Sequence, residues 1–560
     1  MRPYDDKVTA DNIEQKIEQV FQAHGQAQPG ASPDEQVLQE LYQTLYYGDD
    51  GIMDRVWHRL AERYPLLEEQ PAMTDARTVV KFPQPSTANP PRPTPKLAPR
   101  KPWRRNLSIL LIVAACILLI GSSLFIFTQY QKPFQPATPH PKSPLQMFDR
   151  HGKLLYQVES NDKVTLGTTP VTRDFINYSL NELANDLHVQ QTELGRMGLN
   201  VTTTLDTNLQ MQSYQKAQQT IVTAKKEHNI DDAATVVLDY HDGSIRALYG
   251  SVSNQDPEFN AATQKGRPPA STFKPIDYIT AFEQGISPGE VVNDVHQIFP
   301  INEGNIQGYA PYDNDRNELG LISYRHALQT NRNIPAVELV TRTGINALSR
   351  QAQALGLDEI ANGYAMSLGT QDQTVLNTTV AYGTMANQGV HVASHTIELV
   401  KGADGRVLYQ ASQAGKRILK SGVAFMITDI LSDQQAHTQN FEACNPVILY
   451  TASSQQCQAG QPGTIRPAAI QTGESDMARD NWTVGYTTDY VVGVWAGNQK
   501  YEPLRNVAAT DGAGQIWHDT MQLAEQGLPI RQFPAAPADV VQKTMTYQGL
   551  TTTDWYLKDH

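Results

Sequence analysis

Residues 107–127 form an unbroken apolar run without one charged side chain, and this run divides the chain in two. At about 20 residues it has the length a helix needs to cross the hydrocarbon core of a bilayer. It lies too far into the chain for a cleaved leader and exceeds the apolar stretch such a leader carries. Arg92, Lys96, Arg100, Lys101, Arg104 and Arg105 crowd its N-terminal side, whereas only Lys132 and Lys142 lie close beyond it. Basic residues stay on the cytoplasmic side, so the pattern predicts a single-pass anchor in the cell membrane, N-terminus cytoplasmic and C-terminal domain extracytoplasmic.

The two sides are read separately. Residues 1–80 carry helical patterns at Ile13 to Phe21, Val37 to Tyr47 and Ile52 to Leu67, and predict a small helical cytoplasmic segment. It reads either as a bundle or as a module for a cytoplasmic protein partner. Residues 81–106 are a Pro-rich basic linker, and the Pro-rich stretch after the span begins an extracytoplasmic tether, 128–200. The net charge of −13, with no basic patch interleaved with aromatics in the C-terminal part, argues against a nucleic-acid partner. Of three cysteines, Cys116 lies in the span; Cys444 and Cys457 lie beyond it. Outside the membrane those two either close a loop, worth roughly 3 kcal/mol at that spacing, or stay free thiols. No histidine spacing beside them resembles a metal site, and neither metal nor cofactor is expected.

Beyond the tether the pattern alternates between strand and helix. Met147 to Tyr156 reads as strand, turn and strand; a helix pattern runs from about 173 to Leu187; Gly198 to Asp206 is β-rich; and 207–227 is a long amphipathic helix. Ala233 to Gly250 is a strand, an Asp242-Gly243 turn and a second strand, a strong hairpin signal. A largely helical stretch follows to about 432, and Trp482–Tyr486 with Tyr490–Gly497 close the pattern as paired strands. Strands at both ends with helices between predict an α+β fold built on a five-stranded antiparallel sheet flanked by helices.

The run Arg267-Pro-Pro-Ala-Ser-Thr-Phe-Lys-Pro-Ile276 carries the chemistry. Pro268 and Pro269 forbid a helix before it, while Phe273, Ile276, Ile279 and Phe282 open one just after. Ser271 and Lys274 then share one helical face, so an amine can reach a hydroxyl that is otherwise a poor nucleophile at neutral pH. The same tetrad stands at Ser213-Tyr-Gln-Lys216 in an ordinary polar helix, so it is weak by itself, and a lone Ser271 would read as a helix cap.

The wider set of motifs is specific. Gly198 to Asp206, the hairpin to Gly250, Phe259-Asn-Ala-Ala262, the Ser271 tetrad, Asn331-Arg-Asn-Ile-Pro-Ala-Val337 and Asp480-Asn-Trp-Thr-Val-Gly-Tyr486 stand in this order. From about Met197 to 535 the chain resembles the transpeptidase domain of class A penicillin-binding proteins, of the penicillin-binding protein and β-lactamase-like superfamily. The resemblance implies domain bounds of 201–535, with 536–560 as a C-terminal tail. It also implies Ser271 as nucleophile, Lys274 as base, peptidoglycan stem peptides as substrates and β-lactams as inhibitors.

Departures from the family pattern are as informative. Its second motif, Ser-x-Asn, is here Asn331-Arg332-Asn333, in which Asn333 can still donate to a substrate carbonyl but Asn331 cannot pass a proton onward. Its third, Lys-Thr-Gly-Thr, is here Gln471-Thr472-Gly473-Glu474. Thr472 and Gly473 keep a strand edge for substrate backbone, while Gln471 removes a cation and Glu474 adds an anion. Both changes are expected to weaken capture of a carboxylate substrate and to raise the proton affinity of Lys274. Ser179-Leu-Asn181 and Arg342-Thr-Gly344 are read as decoys. The resemblance implies a glycosyltransferase domain ahead of the transpeptidase, but only what look like its two flanks stand here, at Met147–Tyr156 and about 173–200 with almost nothing between, so glycan polymerisation is not expected. Two functions remain: a membrane-anchored D,D-transpeptidase or carboxypeptidase, impaired by these changes, and a degenerate penicillin-binding pseudoenzyme acting as a cell-wall or β-lactam sensor or scaffold. A β-lactamase would need a deacylating base that the sequence does not offer.

Overall fold

The computed structural model describes residues 143–558, apart from 160, 254, 265, 301–307, 359–362, 442–444, 451–464 and 509. The segments 1–80, 81–106 and 107–127, the start of the tether, and Cys444 and Cys457 lie outside the described residues. Among those described, no helix is long and apolar enough to cross a membrane.

Helix α1 (Thr207–His228) starts where the Asp206 carboxylate accepts the Asn208 and Leu209 amides, and ends on left-handed Asn229. Strands β1 (Asp232–Asp239) and β2 (Ser244–Tyr249) follow as the expected hairpin, turning at Gly243 with φ +83°. Ala270–Phe273 is a short 3-10 helix leading into α2 (Lys274–Glu283), with Pro275 in the first turn, where its missing N–H has no partner to lose. Then come α3 (Tyr324–Gln329), α4 (Asn333–Thr343) and α5 (Val375–Ala386). The chain closes the sheet with β3 (Ala469–Glu474), β4 (Asp480–Tyr486) and β5 (Val491–Gly497), before α6 (Ala513–Ala524).

The strands form the five-stranded antiparallel sheet, in the order β3-β4-β5-β1-β2. Its inner strands are apolar almost throughout because helices cover both faces. On one face Tyr214, Ala217 and Ile221 of α1 and Ile516, Trp517 and Met521 of α6 pack with Val237, Tyr249, Val492 and Val494. On the other, Val375, Val380 and Tyr382 of α5 and Phe273, Ile276 and Ile279 join Val236, Leu238, Trp482, Val491 and Trp495. Val236 and Leu238 face one side and Val237 the other, the alternation a strand imposes.

A second, six-stranded sheet joins the tether side to the body. Leu145–Phe148 pairs with Leu154–Val158 and lies parallel to Asn200–Thr203, which in turn pairs with Ile397–Lys401. The stretch read as largely helical to about 432 is thus corrected. Val390–Val392, Ile397–Lys401, Val407–Gln410 and Gly415–Arg417 are strands, cut short by turns at Gly389 and Gly405. Within 536–560, Val540–Tyr547 and Leu550–Leu557 form a hairpin fastened to the body. Asp554 takes two N–H groups of Arg325 at 2.7 Å, and Ser287 donates to the Trp555 oxygen at 3.0 Å.

Candidate active site

The turn that carries Ser271 is strained and held from three sides. Ala270, just before it, has φ +51°, a left-handed backbone that costs a non-glycine residue about 1 kcal/mol. The Ala270 amide donates to the Gly369 oxygen at 3.1 Å, and the Tyr382 hydroxyl of α5 donates to the Thr272 oxygen at 2.7 Å. Arg267 ties the segment to the sheet by lying against Phe259, Trp495 and Tyr501 and facing the Asp480 carboxylate at 3.7 Å. The Ser271 side chain hydrogen-bonds to no protein atom among the described residues, and its amide stands in the first helical turn, without an intrahelical acceptor.

Lys274 is completely buried, and its Nζ donates to the main-chain oxygen of Asn331 at 2.6 Å and to Asn331 Oδ1 at 2.8 Å. Gln471 Nε2 donates to the same Oδ1 at 3.1 Å. Burial pulls the lysine down to about 7; Asp313, Asp277 and Asp294 oppose this, and Arg332 reinforces it. Burial thus dominates the proton affinity of Lys274, and neither Gln471 nor Glu474 is among the main influences on it. A neutral amine has two N–H bonds and one lone pair. With both N–H bonds spent on Asn331, the lone pair is left for a proton from the serine.

Asn331 reaches the lysine because of how α3 ends. Its amide donates to the Leu328 oxygen at 3.1 Å and the Arg332 amide to the Ala327 oxygen at 2.9 Å, the paired bonds of a Schellman cap. Asn331 is the left-handed residue of that cap, φ +58°, a conformation asparagine tolerates better than serine. Thr330 does not replace the missing serine, since its hydroxyl donates back to the His326 oxygen at 2.6 Å. Asn333 opens α4 with its side-chain amide donating to the Tyr312 oxygen at 2.7 Å and Asn314 Oδ1 at 3.3 Å. It makes no hydrogen bond to Ser271, Lys274, Asn331 or Gln471.

Strand β3 is an edge: one side pairs with β4, Thr472 opposite Thr483 and Gly473 opposite Trp482, and the other faces the Ser271 turn. A Cβ at Gly473 would stand 2.8 Å from the Pro269 oxygen and 3.1 Å from the Ser271 and Thr272 amides, so only glycine permits this approach. Burial, with Asp511 adding to it, pushes the Glu474 carboxyl up to about 7. Its anionic charge is thus half-quenched at neutral pH.

The decoys are structural. Ser213 is buried in α1 and donates to the Gln210 oxygen at 3.2 Å, while Lys216 faces Asp519 from the surface. Ser179 donates to the Phe175 oxygen in its own helix, and Gly344 lies between two helices. Sequence reading missed Arg332, which lies buried among Asp294, Asp313 and Asp315. No spacing rule links position 294 to 332. Among the described residues no cluster of histidine, cysteine or carboxylate side chains could hold a metal ion.

Residues 233–510 match the family model described as the penicillin-binding protein transpeptidase domain. Penicillin-binding protein 1A of Neisseria cinerea is 29% identical over 307 residues, which cover 53% of this chain and 36% of that protein. Its counterpart in Pseudomonas aeruginosa is 28% identical over 345 residues, covering 55% and 42%. The chain thus spans well under half the length of these curated relatives. Among solved structures, the penicillin-binding protein PonA1 from Mycobacterium tuberculosis superposes with a TM-score of 0.54 at 24% identity, covering 64% of this chain and 94% of that one. Penicillin-binding protein 1A from Haemophilus influenzae does so at 0.56 and 15%, covering 71% and 77%. At these identities the superpositions speak to the fold.

Proposed function

Residues 233–510 of this chain belong to the penicillin-binding protein transpeptidase family, and from that premise we propose a serine D,D-transpeptidase or carboxypeptidase acting on peptidoglycan stem peptides. Ser271 Oγ attacks the carbonyl of the penultimate D-alanine while its proton passes to Lys274 Nζ. The oxyanion is met by the Ser271 amide and an amide of β3, a pair of fixed dipoles beside the reacting carbon. The substrate backbone lies along the free edge of β3 as an added strand. The protonated lysine returns its proton to the leaving amine, and an acceptor amine or water then releases the acyl group. A β-lactam enters the same path and stays as the acyl-serine.

The observation that carries this reading is the Lys274 amine: fully buried, near neutrality, and held by two oxygens of Asn331 one turn from Ser271. The uncharged run at 107–127 supports a single-pass membrane anchor with this domain outside the cytoplasm, and residues 1–80 offer themselves to a cytoplasmic partner. The short stretch between Tyr156 and about 173, where the sequence offers no room for a glycosyltransferase domain, supports a chain without that activity.

A second reading, a slow or pseudoenzymatic sensor or scaffold, draws on the same residues. Asn331 cannot relay a proton to the leaving group, and Gln471 offers no charge to a substrate carboxylate. Acylation then survives better than turnover. Incubation with a D-Ala-D-Ala peptide, following released D-alanine beside covalent labelling by a penicillin, separates the two. Catalytic release supports the enzyme; labelling without release supports the sensor; neither overturns both.

A further inference from the structure

Arg332 stands in the middle of the second motif, yet it is buried, away from solvent. Its Nε lies 2.8 Å from Asp294 Oδ2, and its two terminal nitrogens lie 3.1 Å from Asp313 Oδ2 and 2.9 Å from Asp315 Oδ1. It also donates to the Asn317 main-chain oxygen, and Asp313 accepts the Asn333 amide. One guanidinium thus binds the strand Val291–Asp294, the loop 312–317 and the junction of α3 with α4 at a single point. A planar fork with five N–H groups can do this where an ammonium cannot.

We propose that Arg332 is a positioning residue for the lysine base, holding Asn331 in its left-handed cap against Lys274 and countering the carboxylates that surround that amine. Two observations meet here. The Arg332 amide makes one of the two cap bonds that keep Asn331 left-handed, so a shift of this side chain moves both oxygens that hold Nζ. The other groups that bear on Lys274 are carboxyls: Asp313 from the loop, Asp294 from the neighbouring strand and Asp277 from its own helix, of which burial raises Asp294 to about 6 and Asp277 well above the usual carboxylate range. Arg332 is the cation that acts against them. An asparagine in place of serine and an arginine between the two asparagines then form one arrangement: the first holds the amine by hydrogen bonds, the second by charge.

This inference rests on Lys274 being the base of the proposed reaction, and the test keeps the two apart. The full chain carrying [ε-13C]lysine is titrated by NMR, with Lys274→Arg assigning the resonance, and acylation by a fluorescent penicillin is followed from pH 6 to 9. Arg332→Gln is expected to move the Lys274 titration and the acylation midpoint upward together by about one pH unit, roughly a fivefold loss of rate at pH 7. Arg332→Lys keeps the charge and is expected to hold the midpoint near wild type at a lower rate, because its ammonium cannot span three carboxylates. Asp313→Asn keeps the oxygen that the Asn333 amide needs and is expected to move the midpoint down; added to Arg332→Gln it restores it. Should Arg332→Gln not fold, Asp313→Asn alone decides by the direction of its shift. A slower Arg332→Gln enzyme with an unmoved Lys274 titration overturns the inference, as does an unmoved titration in Asp313→Asn. A moved titration in a chain that no penicillin labels upholds it while removing the acylation reading.

Discussion

Asn331 holds the Lys274 amine through two acceptors of one residue, its main-chain oxygen at 2.6 Å and its side-chain oxygen at 2.8 Å. The left-handed backbone at Asn331 brings both to the same side. The two acceptors match the two N–H groups of the neutral amine and leave the third N–H of an ammonium without a partner among the described residues, and burial disfavours the ammonium further.

Acylation is therefore expected to rise with pH through about 7 as Lys274 loses its proton. The same shift has a sign for stability. Between about 7 and the ordinary lysine value of 10.5, the unfolded chain binds a proton that the folded one does not, so stability increases with pH across that window. The cost is fully present below pH 7. Lys274→Met is expected to stabilise the fold at pH 6 relative to wild type, and less so at pH 9, as read by thermal melting.

Glu474 supplies the opposing limb. Its carboxyl ionises near 7 and then repels an anionic substrate at the strand edge. Glu474→Gln is expected to leave the rate at pH 6 nearly unchanged and to raise it several-fold at pH 8 for a carboxylate-bearing penicillin. A wild-type profile without an alkaline decline would contradict this.

Gln471→Lys restores a cation beside Asn331 Oδ1. For a penicillin the second-order acylation rate is expected to rise about tenfold, the worth of one well-placed charged hydrogen bond. A neutral ester substrate is expected to gain much less. Equal gains for both would mean that Gln471 acts on the lysine rather than on the substrate carboxylate.

Gly473→Ala tests the close approach of β3 to the nucleophile. The added methyl would sit 2.8 Å from the Pro269 oxygen, so the strand must move off the Ser271 turn. A loss of roughly 1–3 kcal/mol in denaturant unfolding and of most penicillin labelling is expected. Full labelling in this variant would place the oxyanion contacts elsewhere.

Asn331→Gly keeps the left-handed cap and loses only the side-chain oxygen, whereas Asn331→Ala also strains the backbone. The alanine variant is expected to be less stable than the glycine variant by about 1 kcal/mol in urea titration.

What the sequence disclosed here was local. The Asp242-Gly243 hairpin, the Ser271 tetrad and the edge strand at Gly473 each lie within a few residues, where turn chemistry and periodicity can be read directly. The four short strands between 390 and 417 were hidden in a helical reading, because three- to five-residue strands leave too little alternation to count. The Arg332 cluster was out of reach for another reason: its carboxylates come from positions 294, 313 and 315, and only tertiary packing joins them. The Asn331 cap did leave a signal, an asparagine just past the end of the helix pattern that begins at Tyr324. The fall in proton affinity of Lys274 followed from depth of burial, which charge counting along the chain does not measure.

The intact mass of the full chain after incubation with a penicillin, beside Ser271→Ala, tests the acyl-serine chemistry most directly. The expected result is a covalent adduct of one penicillin on the wild type and none on the variant. A folded wild-type chain that stays unlabelled after hours near pH 7.5, where the Lys274 amine is largely neutral, would contradict it.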